Sequence, residues 1–389
     1  MKNINKSLTI LCMLISMIGV FTGCADVPEI KEDNGIQYAK GMAEQDIDSI
    51  LSAEEEENIL ADTGECHYQK SVGESGAQFH IDAIVKNVDV SKADVLIVDP
   101  YEDMFDKETV IRLLFHEDAT VKDITEQADG EGKEIQEEQG TEKVVTVEMP
   151  ATSRLYLESA DGTVHFARSN DSSFNYMDDK LIGKYKGILS GEFREENDYN
   201  VSGYTQDEAV GQVTALLEEL GMQGIQMVSC VSCHNQETGY YDMKFTPIIN
   251  DIPIVFNDYD QNTDSVVDVI GSVQIGKEGI SDLQASNCLW KVIEQKEGAC
   301  ISLDKAVKIL EQYILAGDII CSDNITYTRC ELAYLPTTED WTTATLTPVW
   351  RFYVPMEEWD NINMDEVYSK NITMDICINA INGEIVYQR

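Results

Sequence analysis

The chain has 389 residues, of which 71 are acidic and 28 basic, for a formal net charge of −43 at pH 7. A field this negative repels phosphate backbones and concentrates cations, which argues against nucleic acid as a partner. With 43% hydrophobic and 8% aromatic residues the composition is not that of a disordered chain, and the length predicts two or three domains.

The N-terminus carries Lys2 and Lys6, then an apolar run from Leu8 to Val20 that is short for a membrane span. Phe21-Thr22-Gly23-Cys24 closes this leader and resembles the lipobox of bacterial lipoproteins, with Phe21 where leucine is usual. The resemblance implies a signal peptide over residues 1–23, lipidation of Cys24, and a lipid-anchored position on the extracytoplasmic face of the cell membrane. Residues 24–60 then read as an acidic tether with room for one short helix, since a run such as Glu54-Glu55-Glu56-Glu57 stays solvated and extended. Eight further cysteines follow (Cys66, Cys230, Cys233, Cys288, Cys300, Cys321, Cys330 and Cys377), an even number that in an exported chain fits up to four disulfides.

Residues 61–195 predict a β-rich domain. Phe79-His80-Ile81-Asp82-Ala83 alternates apolar and polar, and Leu155 to Phe166 reads as a hairpin around a type I′ turn at Asp161-Gly162. One helix is predicted near Glu108 to His116. Residues 196–280 and 281–389 then predict a duplication. Helices opening at Thr205 and Ser302 carry matching stripes, Ala209, Val210, Val213, Leu216 and Leu217 in one, Ala306, Val307, Leu310, Tyr313 and Ile314 in the other. Thr205 with Glu208 forms a capping box. Each helix precedes a run of strands, the last pair joined at Asn382-Gly383, also read as type I′. The expected fold is α+β, a β-rich N-terminal domain followed by two related units of one helix on an antiparallel sheet.

Pro348-Val349-Trp350-Arg351-Phe352-Tyr353 followed by Ile378 to Val386 resembles the end of PepSY-like domains and of YycH- and YycI-type regulators of a membrane sensor kinase. The resemblance covers about residues 302–389 and, more weakly, 205–275. The whole chain also resembles a family of lipoproteins from gut Firmicutes, clostridial in type, for which no activity is established. Together they imply an extracytoplasmic, non-enzymatic, regulatory module whose partner is a membrane or envelope protein, and they carry over no catalytic residue.

Cys230-Val231-Ser232-Cys233-His234 has the C-x-x-C-H form that attaches c-type haem, with Cys230 and Cys233 as thioether positions and His234 as iron ligand. The same residues supply half of a zinc site, with Cys66-His67 as the other candidate half. The setting is strand-like, which sends Cys230 and Cys233 to opposite faces and favours ordinary structural cysteines. Asp258, Asp260, Asn262 and Asp264 place oxygens at alternate positions, as in the first half of a calcium loop, but Thr263 stands where glycine is needed and Val269 where a bidentate glutamate is needed. A polar connection is the preferred reading, with a weak calcium site as its alternative and no other cofactor expected. The chain lacks H-E-x-x-H, G-x-S-x-G and a phosphate-cradling glycine loop, so an envelope polymer hydrolase remains only as a second alternative to a binding protein. Trp290, Trp341, Trp350 and Trp359 all fall in the last hundred residues. Trp341 is the candidate for an exposed interface, whereas Trp350 reads as core.

Overall fold

The computed structural model describes residues 32–33, 36–37, 42–53, 65–74, 77–86, 90–100, 106–115, 120–125, 155–168, 173–189, 194–196, 201, 203–222, 224–234, 238–256, 269–316, 319, 325–338, 343–355 and 374–388. Two short strands, β1 (Glu32–Asp33) and β2 (Ile36–Gln37), precede helix α1 (Met42–Ser52). Strands β3 (Glu65–Glu74), β4 (Ala77–Lys86) and β5 (Val95–Pro100) lead to helix α2 (Lys107–Leu114). Asp106 starts α2 by accepting the Thr109 N–H at 3.0 Å. Next come β6 (Val121–Asp123), β7 (Leu155–Ser159), β8 (Val164–Arg168), β9 (Phe174–Asp178), helix α3 (Asp179–Leu189) and β10 (Arg194–Glu196).

The second half runs through one plan twice. Helix α4 (Gln206–Glu219) leads into β11 (Ile225–His234), β12 (Gly239–Ile249), a two-residue β13 (Ile252–Pro253), β14 (Ile270–Gly276) and β15 (Gly279–Ser286). After β16 (Trp290–Lys296), helix α5 (Leu303–Ala316) leads into β17 (Thr326–Thr337), β18 (Ala344–Tyr353), β19 (Asp375–Asn379) and β20 (Ile385–Gln388). In each, four strands pair antiparallel in order: β11-β12-β14-β15 and β17-β18-β19-β20. The capping box at Thr205 is formed, and α4 buries Ala209, Val213 and Leu217 while α5 buries Ala306, Val307, Leu310 and Ile314. The fold is α+β with this duplication.

The sheets do not follow the expected division at residues 195 and 280. One sheet has the order β10-β11-β12-β14-β15-β9-β8-β7-β6; the other runs β16-β5-β18-β17-β4-β3, with β19 and β20 continuing from β18. Segment 61–195 is thus shared out: β3 to β5 join the C-terminal meander, and β6 to β9 extend the first one. Alternation tells which face of a strand is buried but not which strand lies beside it. Because Pro100 pairs opposite Trp290 on adjacent antiparallel strands, the chain leaves the second sheet and returns to it at neighbouring points. The first sheet is nested inside the second in sequence.

An arm joins the two. Asn250 (φ 53°) and Asp251 (φ 66°) turn β12 into β13 by a two-residue hairpin, a conformation their short polar side chains tolerate. Beyond it Val255 donates its N–H to Tyr334 O at 2.8 Å, and its side chain packs with Ala333, Leu335, Val349 and Cys377 of the second sheet. Buried Leu96, Leu332 and Trp350 of that sheet lie in one continuous core with Val273 and Leu283 of the first. The two hairpins read as type I′ have longer loops instead. Gly162 (φ 68°) and Gly383 (φ 75°) are left-handed, but Asp161 and Asn382 are not, and both serve as side-chain acceptors for nearby N–H groups.

Candidate functional site

Cys24, Glu54 to Glu57, the calcium candidates Asp258, Asp260, Asn262 and Asp264, and both Trp341 and Trp359 lie outside the described residues. Part of the expected tether is folded, however. Helix α1 packs on α5, burying Ile47, and Lys305 Nζ donates to Leu51 O at 3.3 Å. Trp350 is core, as its place on a strand suggested, and its Nε1 donates to Ile301 O at 2.8 Å just ahead of α5.

The C-x-x-C-H segment forms the end of β11, between β10 and β12. Cys230 is half-buried against the main core, and burial pushes its thiol up to about 11. Cys233 belongs to a separate cluster with Tyr185 and Tyr240, beneath Leu181 of α3. An extended strand turns residues three apart to opposite sides, so the two thiols are not presented to one edge of a porphyrin. Cys66 and His67 sit on β3 in the other sheet. Among the described residues no group of three or more His, Cys, Asp or Glu side chains is placed to hold a metal ion.

Cys230, Cys288, Cys300, Cys330 and Cys377 are all thiols, which leaves room for at most one of the four disulfides that eight cysteines would allow. Each is raised in pKa by burial, Cys300 to about 11. A thiol held protonated is a poor nucleophile, so these five pack rather than react.

A second feature is a charged cluster between β17, β18 and β19. Arg351, 9% exposed, donates from Nε to both carboxylate oxygens of Asp375 at 3.1 Å and from Nη2 to Oδ2 at 2.6 Å. Its Nη1 lies 3.5 Å from Glu331 Oε1, and Nη2 reaches Phe256 O at 3.4 Å. Gln226 of β11 donates to the other Glu331 oxygen at 3.0 Å, so the cluster spans both sheets. The nearby carboxylates keep Arg351 charged despite its burial.

The third feature is an open cleft of about 380 Å³. Its walls are the end of α2 with Leu113 and Phe115, the face of α4 with Ala215 and Leu216, and the β14–β15 turn with Ile280. Tyr176 and Asp178 of β9 complete it, because alternation on that strand turns residues 174, 176 and 178 inward. Asp178, 1% exposed, ends β9 and begins α3, where its Oδ1 accepts the N–H groups of Lys180 at 2.9 Å and Leu181 at 3.2 Å. Burial and the Asp178 charge both raise the Tyr176 phenol. At the rim Glu219 pairs with Arg112 at 3.0 Å and Glu278 with Lys184. Reading the sequence singled out none of these residues as a site, and named Leu216 only as part of the apolar stripe of α4. The only local signal is Asp178-Asp179 at the junction of a strand and a helix, and α3 itself was not anticipated.

The chain matches no family model and no curated protein. Among solved structures it is similar to the 1.45 Å crystal structure of an uncharacterised protein from Eubacterium rectale, with a TM-score of 0.49 and 14% identity, covering 89% of this chain and 99% of that one. At that level the likeness carries no functional argument.

Proposed function

We propose that this chain is a lipid-anchored extracytoplasmic binding protein that acts by recognition rather than catalysis and regulates a membrane or envelope protein. The observation that carries the binding half of the reading is the cleft between α2, α4 and the β14–β15 turn, a concave, mostly apolar site with a few converging polar groups. The leader ending at Cys24 carries the anchoring half. Metabolic labelling with an alkyne-tagged fatty acid, followed by membrane fractionation, tests the anchor. Wild type is expected to label and sediment with membranes, and Cys24→Ala to do neither. Crosslinking on intact cells then tests recognition. If no crosslinked species forms while the purified chain degrades wall polymer, the reading is overturned in favour of a hydrolase.

A further inference from the structure

We propose that the cleft binds a small neutral molecule, a single ring or short alkyl body bearing one hydrogen-bond acceptor, with the body between α2 and α4 and the acceptor on the Tyr176 hydroxyl. The proposal rests on the binding reading above and names the ligand class of that site. The body follows from the walls, which bring together Leu113, Leu114 and Phe115 at the end of α2, Leu181 of α3, Leu216 of α4 and Ile280 of β15. Hydrocarbon removed from water there is stabilised in proportion to the area buried. At about 380 Å³ the space lies near the lower end of ligand sites, which run from about 300 to 1,000 Å³, so it takes one ring and not a nucleotide-sized group.

The acceptor follows from Tyr176. Alternation on β9 turns this residue inward and leaves it 4% exposed, yet its hydroxyl makes no hydrogen bond to another described residue. The hydroxyl is not sealed in protein either: it keeps accessible surface, and the open space that Tyr176 lines is the cleft. A buried polar group left unpaired is costly, and in folded proteins such groups are nearly always satisfied by protein, water or ligand. Burial and the charge of Asp178 both push the phenol up from its ordinary range, so it remains a donor even in alkaline solution. The partner it lacks is an acceptor, such as a carbonyl oxygen.

Neutrality follows from the charges. The described lining has no Lys, Arg or His, so an anion finds no counter-charge, and the net charge of −43 opposes its approach. The carboxylates that line the cleft are already engaged. Asp178, 1% exposed, accepts the first N–H groups of α3, while at the rim Glu219 pairs with Arg112 and Glu278 with Lys184. A cation would have to displace one of these partners, whereas a neutral molecule leaves all of them in place.

The test is calorimetric titration of the full chain in lipid nanodiscs, with empty nanodiscs subtracted, using acetophenone, benzoate and benzylamine, ring compounds of similar size that differ in charge. Acetophenone is expected to bind at least about tenfold more tightly than either ion, equivalent to about 1.4 kcal/mol. Tyr176→Phe keeps the ring and should weaken acetophenone about fivefold, equivalent to about 1 kcal/mol, the worth of one hydrogen bond. Ala215→Trp, at an exposed position of the wall, should block it. Benzoate or benzylamine binding as tightly as acetophenone overturns the proposal. So does undiminished binding in Ala215→Trp, or an unchanged affinity in Tyr176→Phe, which would mean that water serves the hydroxyl. An absence of acetophenone binding at millimolar concentration overturns it as well. If Cys24-dependent anchoring and crosslinking persist in that last case, the binding reading stands without this ligand class.

Discussion

Arg351 and the thiols solve the same problem, polar chemistry in a buried place, by different means. Arg351 keeps its charge because two carboxylates and a carbonyl surround it, and removing one partner of such a buried pair typically costs about 3 to 5 kcal/mol. Cys230 and Cys300 instead stay neutral, with both thiols raised from 9.0 to about 11. The sign of the pH effect follows. Between about pH 9 and 11 the unfolded chain has lost these protons and the folded chain has not, so stability falls as pH rises through that window. We expect the stability advantage of wild type over a Cys230→Ala, Cys300→Ala variant to narrow between pH 8 and pH 11 in urea titrations. A gap that stays constant would show that neither thiol is held protonated. At this scale the sequence was legible where chemistry is local, as at Thr205, whose cap needs only Glu208 three residues on. It was not legible at Asp178, whose burial comes from strands and helices distant in sequence.

Among the elements, glycine provides a paired test on β14 and α4. A Cβ on Gly271 would overlap the carbonyl oxygen and ring of Phe245, its partner across β12 and β14. On Gly211, in the exposed middle of α4, a Cβ would meet nothing within 4 Å. Alanine should therefore have opposite effects at the two positions. Gly271→Ala is expected to destabilise by about 3 kcal/mol or more, the upper range of overpacking, and Gly211→Ala to stabilise by about 1 kcal/mol through helix propensity. Thermal unfolding of both variants checks this, and the same sign at both sites would refute it. Helices α2, α4 and α5 and most strands could be predicted from periodicity, since each buries one face at its own spacing. The turns were less so: Asp161-Gly162, Asn250-Asp251 and Asn382-Gly383 all have turn chemistry, but only Asn250-Asp251 joins strands that end close enough for a two-residue loop.

At the level of the whole molecule, the arm from β13 to Val255 and the shared core make the two sheets one body. Trp290 on β16 and Trp350 on β18 both belong to the second sheet, so in a Trp341→Phe, Trp359→Phe variant tryptophan fluorescence reports that sheet while far-ultraviolet dichroism reports both. We expect the two signals to unfold at one urea midpoint, as for a single cooperative unit. Separate midpoints would mean that the sheets melt independently. Sequence patterns could not have anticipated this body, because the pairing of β4 with β17 and of β5 with β16 and β18 joins segments that lie far apart in the chain. The nesting also imposes an order in time. During synthesis β3 and β4 can pair with each other early, but the other edge of β4 and the whole of β5 wait for partners that begin at Trp290, while the sheet from β6 to β15 has all its strands once Ser286 has been made. The inner sheet is therefore the first that can close, and until β17 is made the N-terminal hairpin carries an open β4 edge free to pair with the wrong chain.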